Sequence, residues 1–340
     1  MKDDKIIFDP LRDANDEVVS IPPGVIEGLY GLLWLEVTPK CNLCCVHCYA
    51  ESSPSRQDPG VVDWKKVIRD AKELGCNKVQ FIGGEPMLNA GLGEFCQVAK
   101  DLDYGYVEVF SNLTLITEND AMMFKELGVH LATSFYSFNK DTHDKITKVT
   151  GSFERTVSGI RMAIERKIPL RVGIVKMGVN DKDFKDTVCY LESLGLERQF
   201  IGADRMRPVG RGLGIVEFES LETTLCGACW QGNLAVSYDG NVFPCVFSRK
   251  ICLGNVNEKQ LHEILSMEKL KAFRETMYRA HLKKGIAANC YPDDCNPGHA
   301  CTPDTSCGPC DPNCNPKWCH PDGGGCKPWN PDAVARKTFS

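Results

Sequence analysis

Cys41-Asn42-Leu43-Cys44-Cys45-Val46-His47-Cys48 is the stretch on which this sequence turns. It follows a β-rich run, Leu33–Val37, and opens an alternation of strands and helices that continues to residue 202. Cys41, Cys45 and Cys48 form Cys-x3-Cys-x2-Cys. Three thiolates on one short loop can hold three irons of a four-iron cluster, and the fourth iron then stays open to a small molecule. Zinc wants four ligands, with Cys44 available as the fourth, but zinc loops usually pair one Cys-x2-Cys knuckle with a distant second. Chance crowding of cysteines is the remaining alternative.

Working outward, the strand candidates are Leu33–Val37, Lys78–Ile82, Tyr106–Phe110, Val129–Thr133, Leu170–Val175 and Arg198–Ile201. The first helix is clear: Trp64, Val67, Ile68, Ala71 and Leu74 recur at helical spacing, Asp63 can cap its start and Gly75 can end it. Further helices centre on 92–101, 118–127, 154–166 and 182–194. Six βα units in a row predict an α/β fold, a parallel sheet with crossover helices curled into a partial (β/α)6 TIM-like barrel. Chemistry in such a sheet sits at the C-terminal strand ends. The Cys41–Cys48 loop, Gly83-Gly84-Glu85-Pro86, Ser111-Asn112 and Ser134 all fall there. Tyr136, Asp204 and Arg205 could face the same pocket, and Cys44 could be a spare thiol donor, but structural roles are the plainer readings. No catalytic residue is assigned.

A second region, about 203–280, contains apolar runs on both sides of Asp239-Gly240, a favoured hairpin turn, and then a helical segment over 258–279. Cys226-x2-Cys229, Cys245 and Cys252 lie in it. The hairpin would return Cys245 to the side of Cys226 and Cys229. Cys252, or a cysteine of the tail, would be the fourth ligand; a zinc knuckle is the alternative. This is a small Cys-rich α+β extension. The tail over 290–329 is different again, since each of its eight cysteines is followed two residues later by proline. Such a Cys-x-Pro run cannot build an apolar core. It binds a second auxiliary cluster, binds zinc, or is a thiol-rich appendage. The expected division is 1–32, 33–205, 206–285 and 286–340.

The chain has 340 residues, 43% hydrophobic, with a net charge of −5, which argues against a nucleic-acid or anionic-membrane surface. No stretch approaches the roughly 20 apolar residues that span a bilayer. The opening MKDDKIIFDP has no secretion core, so a cytoplasmic location is expected. Nineteen cysteines in a reducing compartment then point to metal or redox chemistry. Cys76, Cys96 and Cys189 are expected to be buried structural thiols.

The Cys41–Cys48 loop resembles the signature of the radical S-adenosylmethionine superfamily, with His47 at the aromatic position before the last cysteine and Tyr49 after it. Gly83-Gly84-Glu85-Pro86 resembles that family's GGEP loop, Ser111-Asn112 its Thr-Asn-Gly segment and Ser134 its ribose-binding serine. The resemblance implies a [4Fe-4S] cluster at Cys41, Cys45 and Cys48 with S-adenosylmethionine on the open iron. It also implies methionine-end contacts from Gly83, Gly84, Glu85 and Pro86, and a 5′-deoxyadenosyl radical that takes hydrogen from a substrate. His143-Asp144-Lys145-Ile146-Thr147 is similar to a His-Asp-x-x-Arg segment, but Thr147 replaces the arginine, so that contact is not carried over. Arg207-Pro208-Val209-Gly210-Arg211-Gly212, Cys226-x2-Cys229, Gly240-x4-Cys245, Cys252 and Leu253-Gly254-Asn255-Val256 resemble the SPASM or Twitch extension, which implies one or more auxiliary iron–sulfur clusters. Beyond 252 the spacing departs from that pattern. The implied substrate is a ribosomally made peptide that is crosslinked, epimerised or oxidised. The alternative is an aminocyclitol or nucleoside-sugar antibiotic precursor that is dehydrogenated, dehydrated or decarboxylated. Only 32 residues precede Leu33, short for a leader-binding domain, which trims the peptide reading. A reducing partner such as flavodoxin or ferredoxin is implied. A non-catalytic metal-binding or electron-transfer protein is the rival of another class; it has no need of six βα units with GGEP.

Overall fold

The computed structural model describes residues 31–218, 220, 224–226 and 229–283; the first 30 residues and the Cys-x-Pro tail lie outside them. Six parallel strands form the barrel wall: β1 Leu32–Glu36, β2 Lys78–Ile82, β3 Tyr106–Phe110, β4 His130–Phe135, β5 Leu170–Lys176 and β6 Ile201–Arg205. Each pairs with its sequence neighbour, and β6 does not return to β1, so the barrel is partial. All five residues of β1 are buried, as a strand covered on both faces requires.

The crossover helices are α1 Trp64–Glu73, α2 Leu92–Asp101, α3 Glu118–Leu127, α4 Lys140–Thr147, α5 Ser152–Glu165 and α6 Phe184–Ser193. Asp63 caps α1 by accepting from the Lys66 amide at 3.0 Å, and Trp64, Val67, Ile68 and Ala71 form its buried face. A reciprocal Thr117–Asp120 box opens α3, and Gly128, at φ 68°, closes it. Cys76 and Cys96 are buried as expected. Cys189 is exposed, because α6 turns Thr187, Val188 and Leu191 inward and leaves Cys189 outside.

Three expectations need correction. The sixth strand is Ile201–Arg205, three residues later than predicted, and Arg198–Phe200 is a 3-10 turn. Gly202, Ala203 and Asp204 lack strand-favouring side chains, and pairing with β5 from Val172↔Ile201 to Lys176↔Arg205 sets the register instead. A helix that periodicity did not show, α4, precedes α5. The segment expected to be one helix divides into α7, Leu261–Leu265, and α8, Glu268–Lys283.

The extension is not a separate layer. Strand β7, Leu234–Val236, pairs in parallel with β1 through Leu33↔Leu234, Trp34↔Ala235 and Leu35↔Val236. Strand β8, Asn241–Phe243, returns antiparallel, and β9, Gly254–Asn255, completes a nine-stranded sheet. Gly240 sits at φ 86° in the connecting turn, where a side chain would be strained. Inside the barrel Arg171 grips Glu108 with two bonds, Nε to Oε1 at 2.8 Å and Nη2 to Oε2 at 2.7 Å. Tyr106 and Gln80 also donate to that carboxylate. No described helix is long and apolar enough to cross a membrane.

Candidate active site

The loop after β1 carries Cys41, Cys45 and Cys48 at the C-terminal end of the barrel, and three neighbours fix its path. The amides of Cys44 and Val46 donate to the carbonyls of Thr147 and Ile146, both at 3.0 Å. These are orphan acceptors at the C-terminal end of α4, so the helix and the loop satisfy each other. Arg211 donates from Nε to the Cys45 carbonyl at 2.8 Å and from Nη2 to the Ser52 carbonyl at 2.9 Å. Its own amide donates to the Cys48 carbonyl at 3.1 Å. Gly210 lies so close to Tyr49 that an added Cβ would stand 2.4 Å from that residue's carbonyl oxygen. Asn112 Nδ2 donates to Asn42 Oδ1 at 2.9 Å.

The three sulfurs feel one another. Burial drives the Cys41 thiol far up, and the sulfurs of Cys45 and Cys48 push it further. Burial pushes Cys45 up to about 12, with Cys48 adding to the rise. The Asn112 amide approaches Cys41 Sγ at 3.8 Å, and the Tyr136 hydroxyl donates to Cys45 Sγ at 3.9 Å. The Tyr136 ring meets His47 edge-on at 5.1 Å, so Tyr136 braces the loop. Among the described residues no three His, Cys, Asp or Glu side chains close on a single metal ion. Sulfurs grouped on one loop without a common ion position suit a cluster, which offers each thiolate a different iron.

Gly83-Gly84-Glu85-Pro86 packs against the start of that loop. The Gly84 and Glu85 amides donate to Thr38 and Lys40 carbonyls, both at 2.7 Å. A Cβ on Gly84 would stand 2.0 Å from the Lys40 oxygen, and one on Gly83 2.5 Å from the Thr38 oxygen. The closest neighbours of both glycines are therefore the chain's own backbone. Glu85 is wholly buried; Oε1 accepts from Ser111 Oγ at 2.7 Å and from the Met87 amide at 3.1 Å. Oε2 accepts from the Asn112 amide at 2.8 Å and keeps a second lone pair. Burial pushes Glu85 up to about 7 against those bonds, and no cation contributes. A carboxylate held this way fits a cationic ligand, such as the ammonium of an amino acid. Ser134 is half-buried near the end of β4, inside the strand.

Cys226, Cys229 and Cys245 form a second group. Cys229 Sγ donates to Cys245 Sγ at 3.5 Å. Hydrogen bonds with Cys226 and Cys245 hold the Cys229 thiol well above its ordinary value, and the bond from Cys229 draws Cys245 down. One proton thus serves neighbouring sulfurs, which suits thiolate ligands. Cys252 is not brought to them: it is exposed, with its sulfur on Asn241 Oδ1 at 3.8 Å and the Gly254 carbonyl at 3.5 Å. Asp204 accepts from Arg207 Nη2 at 2.9 Å beside this group, and Arg205 ends β6. Asp144 caps α5, accepting from the Gly151 and Phe153 amides at 2.6 and 2.9 Å. Sequence reasoning passed over Arg211 and Asn42 as loop anchors; Arg211 between two glycines was the available signal.

Comparison with known proteins agrees with this architecture. The sequence model of the Radical SAM superfamily matches residues 35–191, and that of SPASM, an iron–sulfur cluster-binding domain, matches 226–296. The chain is 30% identical over 173 residues to the "Probable GTP 3′,8-cyclase" of Methanocaldococcus jannaschii, covering 50% of this chain and 57% of that protein. It is 30% identical over 201 residues to the AdoMet-dependent heme synthase of Oleidesulfovibrio alaskensis, covering 57% and 51%. It thus spans little more than half the length of these curated relatives. SuiB of Streptococcus suis, solved with its precursor peptide SuiA, superposes with a TM-score of 0.58 at 15% identity, over 72% of this chain and 66% of that one. The enzyme anSMEcpe with bound AdoMet gives 0.58 at 17% identity, over 76% and 82%.

Proposed function

The chain belongs to the radical S-adenosylmethionine superfamily and carries an SPASM extension, and on that premise we propose that it cleaves S-adenosylmethionine reductively to start radical chemistry on a substrate. The observation that carries this reading is the convergence of Cys41, Cys45 and Cys48 on one braced loop beside the buried, cation-free carboxylate of Glu85. Cys41, Cys45 and Cys48 would hold the four-iron cluster. Bound there with S-adenosylmethionine and supplied with one electron, that group yields a 5′-deoxyadenosyl radical. The chain's own residues bind and aim. Glu85 takes the ammonium through its free lone pair, Ser111 and Asn112 hold that carboxylate, and Ser134 lies at the strand end where ribose hydroxyls would reach. Arg211, Asn42 and the end of α4 keep the loop in one path, which limits movement of the reacting atoms. Cys226, Cys229 and Cys245 would hold an auxiliary cluster, with its fourth ligand left to a residue other than Cys252. A small reductant of the flavodoxin or ferredoxin kind supplies the electron.

For the substrate we favour a ribosomally made peptide, modified oxidatively. The support is a shared fold with SuiB and anSMEcpe, both of which have been solved with peptides bound. The names of the curated relatives, a GTP cyclase and a heme synthase, favour a second reading, a small molecule. Anaerobic reconstitution tests the core claim. Wild-type chain should form 5′-deoxyadenosine, and Cys45→Ala should form none. A fully reconstituted chain that never cleaves S-adenosylmethionine, given a competent reductant, refutes it. Deuterium carried from a labelled peptide, or from a labelled small molecule, into 5′-deoxyadenosine decides between the substrates.

A further inference from the structure

The two cysteine groups are joined by a buried ion pair that neither uses as a ligand. Glu36 is the last residue of β1, only 1% exposed, and its Oε1 is paired with Arg249 Nη2. Arg249 belongs to the extension. It follows a turn in which the Ser248 amide donates to the Cys245 carbonyl at 3.1 Å, while the Cys245 amide donates to Ser248 Oγ at 2.9 Å. The Arg249 guanidinium folds back over that turn, donating from Nε to the Val246 carbonyl at 2.8 Å. Its charge is thereby fixed one residue from Cys245. On the other side it lies 5.3 Å from the ring centre of Tyr49, the residue after Cys48, and 5.3 Å from that of Phe243. Tyr49 in turn meets Phe247 edge-on at 5.3 Å. One guanidinium therefore touches the residue following the last cysteine of the barrel loop and the residue following Cys245.

A buried pair of this kind adds little stability over well-packed apolar side chains, because desolvation offsets the attraction. Its cost is intelligible if the charge itself is used. Reduction adds a negative charge to an iron–sulfur cluster, and the charges around a cluster help set its potential. A fixed cation beside the cluster favours the reduced form, and a carboxylate paired with that cation tempers the effect.

We propose that Arg249, held by Glu36 and stacked on Tyr49, is a positioning residue that sets the reduction potential of a cluster at Cys226, Cys229 and Cys245. This rests on the auxiliary-cluster reading given above. The two partners then act with opposite sign. Arg249→Met removes the cation and lowers the potential. Glu36→Gln leaves the cation unopposed and raises it. Arg249→Lys keeps the charge and restores the wild-type value.

The test is a reductive titration of the anaerobically reconstituted full chain, followed by electron paramagnetic resonance, with iron counted in each sample. The signal that changes on adding S-adenosylmethionine marks the barrel cluster and separates it from the auxiliary one. Expected are shifts of opposite sign for Arg249→Met and Glu36→Gln. Each is at least tenfold in the oxidised-to-reduced ratio at fixed potential, which is about 59 mV for a one-electron couple. Arg249→Lys and Glu36→Gln serve where Arg249→Met does not fold. Full iron content with unmoved potentials, or shifts of the same sign, overturns the inference and leaves the cluster reading intact. A wild-type chain with no auxiliary signal and only one cluster's iron overturns both.

Discussion

Glu85→Gln separates a binding carboxylate from a structural one. In the folded chain burial raises Glu85 from an ordinary value of 4.5 to about 7, while three donors partly offset the rise and no cation assists. The raised pKa fixes the sign: the protonated form is favoured on folding. Stability from this group is fully present below 4.5 and is lost as pH rises through about 7. At pH 8 the uncompensated carboxylate costs about 3 kcal/mol, from the rise between 4.5 and about 7 taken at about 1.36 kcal/mol per tenfold. A cationic ammonium placed against Oε2 recovers part of that cost only when Glu85 is ionised. Affinity for S-adenosylmethionine should therefore rise with pH through about 7, and at pH 6 it should be weaker than at pH 7.5 by several-fold to about tenfold. The glutamine of the variant keeps the shape and loses the charge. Its affinity at pH 7.5 should fall about 10- to 100-fold, the worth of one hydrogen bond to a charged group.

The assay is anaerobic calorimetric titration of the reconstituted chain with S-adenosylmethionine at pH 6.0, 6.75 and 7.5. The ligand's own amino group titrates near the top of this window, at about 7.7–8.0 for a free α-amine. Glu85→Gln feels that titration equally, so the ratio of the two affinities isolates Glu85. A ratio that stays constant across the three pH values, or a variant that binds as tightly as wild type, refutes the reasoning. Glu85 would then be a strut between Ser111, Asn112 and Met87, and the ammonium would be held elsewhere.

Gly84→Ala drives a Cβ to 2.0 Å from the Lys40 carbonyl, so the loop must move; a loss of about 1–3 kcal/mol is expected, read as a lower melting temperature. Arg211→Ala removes the bonds to the Cys45 and Ser52 carbonyls, and should lower iron occupancy of the barrel site by about four irons per chain while leaving the auxiliary signal. Cys252→Ser should leave iron content unchanged, since its sulfur lies on Asn241 and Gly254; a lost cluster would make Cys252 a ligand after rearrangement. Arg171→Met strands Glu108 inside the barrel and should cost about 3–5 kcal/mol in chemical denaturation at pH 7.5. Burial would raise Glu108, but Arg171 holds it below its ordinary value, so its wild-type contribution is present above 4.5 and fades as pH falls below that. In Arg171→Met burial acts alone, and stability should instead increase as pH falls.

The strand and helix pattern was legible where side chains faced one core. The expected helices over 92–101 and 118–127 coincide with α2 and α3, and β2 and β3 match residue for residue, because their apolar positions all serve the same packed layer. Legibility failed where backbone pairing decided. The sixth strand is set by hydrogen bonds to β5 rather than by Gly202 and Ala203, and α4 hides a buried His143, Ile146 and Thr147 among polar residues. At the site, the three-cysteine spacing and GGEP located the loop, but the partners that brace it were long-range. Arg211 reaches back 166 residues to Cys45, and no local pattern announces such a contact. Cys252 shows the converse. Sequence distance made it the nearest fourth ligand, yet the turn before β9 points it at Asn241.

The position of β7 changes how the two cysteine groups relate. Had the extension been a separate domain joined by a linker, their separation would vary with every movement of that linker. Instead β1 pairs on one edge with β2, which leads into Gly83–Pro86, and on the other with β7, which leads through β8 to Cys245. The strand that ends at Glu36 also leads into Cys41. Both groups are therefore referred to one central strand through parallel ladders, and Leu33, Trp34 and Leu35 hold the register on both sides. A one-residue slip in either ladder would send buried side chains to the opposite face, so the register is strongly specified. Electron exchange between two fixed centres needs this kind of rigidity, because the rate depends on a separation that must not wander. A charge placed on that shared strand, as Glu36 is, then acts at a constant distance on whatever the extension holds.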